Sequence, residues 1–330
     1  MERIENNLIS IRDLTITYSA ANGGMICALN HVNLEIREGE VLGILGESGC
    51  GKSTLANAIL RLLPANATLA SGEILFCGSN LLRATERDLR DIRGRQISLV
   101  PQDPGLSLNP VIAVGTQIAE VLRAHLPMTS GQRRARVNEL LNEVGFDQPA
   151  EIYGAYLHQL SGGQRQRIVI AQAVACCPAL VIADEPTSKL DARLRSEIIA
   201  LLARLRATHG TTLVVISHDL ALIGALADRI AVMYAGNVVE VGKREEILQR
   251  PLHPYTQGLV RIARSTVSGG EYAKARFPRI EGDHPSLTGA AVGCCFEPRC
   301  SERIQMCLEH RPPEVVPDPA RSVSCFKYGE

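Results

Sequence analysis

The stretch VLGILGESGCGKSTLANAILRLL, residues 41–63, limits what this chain can fold into more than any other segment. VLGILG is a short apolar run with the length of a buried strand, and the residues after Lys52 carry the 3.6-residue period of a helix. Between them lies G-x-x-x-x-G-K-[ST], with Gly46, Gly51, Lys52 and Ser53 at the fixed positions. A strand that turns through glycines straight into a helix belongs to a parallel α/β sheet. The glycines let successive backbone N–H groups point inward as an anion nest, and the positive end of the helix adds to the attraction. The segment Gly46, Glu47, Ser48, Gly49, Cys50, Gly51, Lys52, Ser53, Thr54 therefore reads as a cradle for a nucleoside triphosphate. Lys52 would reach its β and γ phosphates, and Ser53 would place its hydroxyl on Mg²⁺.

The rest of the chain keeps the alternation going. QISLV (96–100), LVIAD (180–184) and TLVVIS (212–217) read as strands, and ARLRSEIIALLARLR (192–206) reads as a helix. The fold class is α/β, with a mainly parallel sheet. LISIRDLTITYS (8–19) and VNLEI (32–36) alternate like strands of an antiparallel edge layer. Strand signals vanish between 111 and 178, where amphipathic stretches such as GQRRARVNELLNEVG mark a helical subdomain. The expected division is an ATPase domain over 1–245 and a loop-rich C-terminal extension over 246–330. With 35 basic and 35 acidic side chains the formal charge is zero, so no global field favours nucleic acid or an anionic membrane. The N-terminal residues lack a secretory pattern, and no run reaches the length of a membrane span. A cytosolic protein docked on partners is expected.

LVIADEP, residues 180–186, is an apolar strand that ends in two carboxylates. Ligands of open α/β sheets gather at such strand ends. Asp184 would hold Mg²⁺, and Glu185 would polarise the water that attacks the γ-phosphate. Standing alone, the pair would read as a turn or a helix cap; with the phosphate loop it reads as a triphosphatase.

LSGGQRQR, residues 160–167, opens a further helix, with Ser161 at the capping position before Gly162, Gly163 and Gln164. A nucleotide already held by the first helix terminus has no need of a second, so this one serves a nucleotide held by another subunit. With these three motifs the chain resembles the ATP-binding subunits of ABC transporters, in which two such subunits sandwich two ATP molecules. The resemblance covers about residues 8–245. It implies that Gln102 in VPQDP senses Mg²⁺ and the attacking water. It likewise implies that His218 in VISHD contacts the γ-phosphate, and that Asp191 reaches across the dimer. Tyr18 is the candidate for stacking on adenine, although a tyrosine ending a strand also serves plain packing. Lys189 in SKLD departs from the small residue common there.

HPYTQGL (253–259) and LLPANATLASGEILFCGSNLL (62–82) resemble ATPases of the peptide and nickel importer group. That resemblance implies a second ATPase, a paralogue, under two membrane permease subunits fed by an extracytoplasmic binding protein. It places the chain peripherally on the cytoplasmic face of the inner membrane, with peptides as cargo, or nickel as the alternative. A soluble ABC ATPase without membrane partners usually carries coiled coils, zinc modules or two cores in one chain, and none is seen here. A subunit that binds ATP without hydrolysing it is opposed by the presence of Glu185 and His218.

Half of the ten cysteines lie beyond residue 290. Cys294, Cys300, Cys307 and Cys325 give the spacing Cys-x5-Cys-x6-Cys-x17-Cys in a Pro-rich segment without apolar periodicity. A reducing compartment disfavours disulfides, and a metal would supply the missing constraint. Four thiolates suit structural Zn²⁺ or an iron–sulfur cluster, while zinc sites usually show tighter Cys-x2-Cys pairs. The tail also resembles that of peptide-importer ATPases in which four such cysteines hold a [4Fe-4S] cluster, with Cys295 outside the ligand set.

Overall fold

The structure, a computed structural model, describes residues 7–20, 23–267, 280–282, 292–318 and 321–329. In chain order it begins with strands β1 (Asn7–Ser19), β2 (Met25–Arg37) and β3 (Val41–Leu45), then helix α1 (Lys52–Ile59). Strands β4 (Ala67–Phe76) and β5 (Ser79–Asn80) precede α2 (Glu86–Ile92) and β6 (Ile97–Val100). Five helices follow without an intervening strand: α3 (Pro104–Ser107), α4 (Val114–His125), α5 (Ser130–Glu143), α6 (Pro149–Gly154) and α7 (Gly162–Val174). Then come β7 (Leu180–Asp184), α8 (Ala192–His209), β8 (Thr212–Ser217), α9 (Leu220–Leu226), β9 (Arg229–Tyr234) and β10 (Asn237–Lys243). The last elements are α10 (Arg244–Gln249), α11 (Pro254–Val267), α12 (Met306–Glu309), β11 (Glu314–Asp318) and β12 (Arg321–Ser324).

The chain divides into two compact units, one formed by Met1–Leu82 with Ser217–Glu330, the other by Arg83–Ile216. In the first unit β2, β1, β4 and β5 form an antiparallel sheet in that order. Ile9, Ile11, Leu14 and Ile16 of β1 are buried, with the period shifted by one where the register slips between Ile11 and Leu14. This is the edge layer expected from the alternation in 8–19. The same unit pairs β3 parallel to β9, and β9 antiparallel to β10. All five residues of β3 are buried, which is why that run reads as continuously apolar.

In the second unit β6, β7 and β8 run parallel, in register Ile97↔Leu180 and Leu180↔Thr212. The helical stretch expected over 111–178 is α4 through α7, with Ile118, Leu122, Val137, Leu140, Leu141, Ile168 and Ile170 buried. Thr129 and Ser161 start α5 and α7 with reciprocal capping boxes, to Gln132 and Gln164.

The C-terminal extension is less loop-like than its composition suggests. β12 pairs antiparallel with β10 (Glu240↔Val323) and β11 pairs with β12. The link is electrostatic as well as apolar. Glu240 is fully buried, receives the Arg321 guanidinium at 2.8 Å, and accepts the backbone N–H groups of Leu252 and His253 at 2.8 and 3.0 Å. Such a pair is held by its extra hydrogen bonds, and losing either charge alone would strand the other in the interior.

Candidate nucleotide site

In the first unit the phosphate loop leaves β3 at Gly46 and enters α1 at Lys52. Gly51 sits at φ 106°, and a Cβ there would lie 2.4 Å from the Ala28 carbonyl oxygen, so only glycine fits. Lys52 is buried, and its ammonium donates to the carbonyls of Gly46 (2.8 Å) and Glu47 (2.9 Å), closing the loop upon itself. Ser53 is exposed on the first turn of α1. Cys50 is buried, and burial raises its thiol pKa while Lys52 lowers it, leaving a net rise that disfavours the thiolate. Tyr18, at the end of β1, has its hydroxyl 3.2 Å from the Thr54 hydroxyl, which puts its half-buried ring beside the loop. His218, just past β8, is exposed, and Asp219 beside it caps α9 by accepting from Ala221 and Leu222.

Glu47 and Ser48 follow Gly46 in the loop, and Glu47 is tied outward. Its backbone N–H donates to the Tyr255 hydroxyl at 3.0 Å, and its carboxylate meets Arg299 at 2.8 and 3.1 Å. Neither partner is visible from the motif, since they stand 208 and 252 residues away.

The second unit carries the other motifs. Asp184 ends β7 buried, and Glu185 follows in the left-handed region at φ 47°, its N–H donating to the Ile216 carbonyl at 2.9 Å. That conformation costs a residue with a side chain, and such strained positions cluster at active sites and switch regions. One cavity is lined by Gln102, Gly162, Gln166, Glu185, Ser188 and Lys189, so residues from three separate motifs share a surface. Gln166 is 3% exposed, and its amide Nε2 has no partner among the described residues. It belongs to the LSGGQRQR stretch, but the sequence gives it no role of its own.

Ser161 accepts the N–H of Gln164, while the Gln164 side chain accepts the N–H of Ser161, so the turn at Gly162 and Gly163 is fixed. Gly163 is buried against Leu194, whereas nothing lies within 4 Å of a Cβ on Gly162. Asp191 caps α8, accepting from Leu194 at 2.9 Å. The unusual Lys189 has a local reason: its ammonium pairs with Asp103 at 2.5 Å, beside Gln102. That contact and the Gly105 N–H hold the Asp103 carboxyl below its ordinary range. The pairing is present above the ordinary carboxylate pKa and is lost only as pH falls through the lowered value.

In the first unit's tail, Cys294, Cys300, Cys307 and Cys325 line one cavity of about 220 Å³, together with His253, Phe296 and Glu302. Burial raises the pKa of Cys294 to about 11, and the neighbouring thiols add to the rise. Cys295 points away, its thiol 3.8 Å from the Tyr234 carbonyl. Among the described residues no group of three or more His, Cys, Asp or Glu side chains is gathered tightly enough to hold a metal ion. No helix among them is long and apolar enough to cross a membrane.

Residues 29–188 match the family model described as ABC transporter, and residues 239–307 match the one described as oligopeptide/dipeptide transporter, C-terminal region. The chain is 40% identical over 324 residues to a probable peptide ABC transporter ATP-binding protein of Sinorhizobium fredii, spanning 98% of this chain and 96% of that one. It is 38% identical over 321 residues to a dipeptide transport ATP-binding protein of Bacillus subtilis, spanning 97% and 94%. A solved dimeric ATP-binding cassette in a post-hydrolysis state, bound to ADP and phosphate, superposes with a TM-score of 0.64 at 32% identity, covering 72% of this chain and 98% of that one.

Proposed function

This chain belongs to the ABC transporter family as an ATP-binding subunit, and from that premise we propose the reaction and the assembly that it serves. It is the ATP-hydrolysing motor of an importer whose cargo is peptides. The observation that carries this reading is that one chain joins a closed phosphate loop to a C-terminal region of the oligopeptide/dipeptide type. The ATPase proper takes residues 1–245 and the importer-type extension takes 246–330.

ATP lies in the loop Gly46–Thr54, where Lys52 exchanges the carbonyls of Gly46 and Glu47 for the β and γ phosphates. Tyr18 stacks on the base. Ser53, Asp184 and Gln102 are the oxygen ligands suited to Mg²⁺, which neutralises phosphate charge when bound. Glu185 accepts a proton from the water that bonds to the γ-phosphorus as the bond to the bridging oxygen breaks, and His218 donates a hydrogen bond to the departing phosphoryl oxygens. The segment Ser161–Gln164 and Asp191 act on the ATP of a second ATPase subunit, a paralogue, and the solved cassette dimer supports that pairing. Two permeases and an extracytoplasmic binding protein complete the assembly, with this chain on the cytoplasmic face. Co-purification from the membrane and reconstitution in vesicles test it: peptide should stimulate ATP hydrolysis, and Lys52→Ala should abolish both hydrolysis and uptake. Stimulation by nickel in place of peptide would move the cargo to nickel, and a soluble dimer without permeases would remove the transport role.

A [4Fe-4S] cluster bound by Cys294, Cys300, Cys307 and Cys325 belongs to the same proposal. It is supported by one cavity of about 220 Å³ whose lining includes all four cysteines. Burial and the three neighbouring thiols raise the pKa of Cys294, a cost that a bound cation would relieve. When bound, the cluster would cross-link four segments of this Pro-rich tail. Anaerobically purified protein should be brown, with about four irons per chain, and Cys300→Ser should bleach it while ATP still binds. Colourless protein with one zinc would reassign the ligands to Zn²⁺.

A further inference from the structure

The outward tie on Glu47 joins the C-terminal extension to the phosphate loop through two independent contacts. Arg299, one residue before Cys300, is 4% exposed at its side chain and spends every donor it has. Its Nη1 and Nη2 form a fork on the two Glu47 carboxylate oxygens at 2.8 and 3.1 Å, while Nε and Nη2 also hold the carbonyls of Glu281 and Ile280 at 3.1 and 3.2 Å. Nη1 further reaches the Tyr234 hydroxyl at 3.3 Å, and the guanidinium carbon lies 5.7 Å from the centre of that ring. The second contact is the Tyr255 hydroxyl, which accepts the Glu47 N–H.

Tyr255 is itself immobilised. It is fully buried, 4.6 Å from the Tyr234 ring and 5.5 Å from that of Phe296, which packs edge-on against Tyr234 at 5.1 Å. Its backbone N–H donates to Nδ1 of His253 at 3.1 Å, and the His253 N–H is held by buried Glu240. The His-Pro-Tyr triplet at 253–255 is thus a rigid bracket that ends in one hydroxyl on the phosphate loop.

A loop that must bind about four negative phosphate charges carries its own carboxylate at its second residue. Glu47 and the phosphates would share one short loop, and charges held closer than the Debye length of about 8 Å at physiological ionic strength still repel one another. A fork of two charge-assisted hydrogen bonds both cancels that charge and fixes its direction.

We propose that Arg299 and Tyr255 are positioning residues for ATP binding, which hold Glu47 turned away and neutralised so that the loop can accept phosphate. The proposal rests on the reading of the loop as the ATP site. The order of the extension, and not only of the cassette, then sets the nucleotide affinity of this subunit.

The test is a double-mutant cycle on the full chain, read by equilibrium binding of MgATP and by steady-state hydrolysis. Arg299→Ala should weaken ATP binding about tenfold, a coupling of the size seen between contacting charges. The loss should appear in KM rather than kcat, and it should shrink as salt is raised, because it is a repulsion. Adding Glu47→Gln to Arg299→Ala should return most of the lost affinity, which a merely structural role for Arg299 would not allow. Arg299→Lys, which keeps the charge and loses the fork, should fall between, and it serves if Arg299→Ala fails to fold. Tyr255→Phe should weaken binding by a smaller, salt-independent factor. Unchanged affinity in Arg299→Ala, or a loss that Glu47→Gln does not relieve, overturns the proposal while leaving the ATPase reading intact. A wild-type chain that binds no ATP would sink both.

Discussion

Glu185→Gln should lower the rate of ATP hydrolysis by about two to four orders of magnitude while the chain still binds ATP, the loss expected when a general base is removed. The substitution keeps the shape and the hydrogen-bonding reach of the side chain and removes only its basicity. It also spares the local geometry, because the unusual backbone at φ 47° is fixed by the strand end, through the Glu185 N–H and the Ile216 carbonyl, and glutamine meets it with the same Cβ. Asp184, buried one residue earlier and the proposed Mg²⁺ ligand, is unchanged. Single-turnover hydrolysis measured beside MgATP binding separates the two steps. Wild-type turnover in this variant would strip Glu185 of its role and leave the carboxylate as a turn residue.

What could be read from the sequence divides along a physical line. The phosphate loop, the carboxylate-ended strand and the capped LSGGQ helix were legible because each is a local device: its strand, turn and helix are set by residues within a few positions of one another. Ser161 and Gln164 bond each other as the capping rule expects. The α/β class followed for the same reason, since buried parallel strands such as β7 carry their apolar run in one piece. The extension was not legible, because what orders it is distant in sequence. β12 has four residues and exists as a strand through its pairing with β10, and Arg321 through Glu240, 81 positions earlier. Lys189 stood out as an oddity, yet its partner Asp103 lies 86 residues away and no periodicity connects them. The HPY triplet was recognisable as a mark of the importer group, but its contact with the loop emerged only from packing.

The same distinction shapes the second large effect expected, Ser161→Arg. Ser161 and Gly162 are exposed, and open space surrounds the Gly162 Cβ position, so the positive end of α7 faces outward. A helix terminus with this cap and a glycine at its first position can receive the phosphates of an ATP held by another subunit. Arginine removes the cap, at about 1 kcal/mol of local stability. It also places a long cation where that γ-phosphate would sit, so binding energy goes into a misplaced ion pair rather than into the transition state. Hydrolysis at the partner's site should fall by at least about a hundredfold, the loss seen when a preorganised donor to developing charge is taken away. ATP affinity at this chain's own loop should stay close to wild type, since Ser161 lies outside the loop Gly46–Thr54. Ser161→Thr, which restores a capping hydroxyl, should recover most of the rate. The assembly gives a second readout: with Glu185→Gln in this chain and saturating MgATP, the ATPase pair should be trapped closed, and Ser161→Arg should release it to monomers on a sizing column. If Ser161→Arg instead weakened ATP binding to its own subunit and left the partner's turnover untouched, the segment would be acting in cis, and the two-subunit arrangement would have to be abandoned.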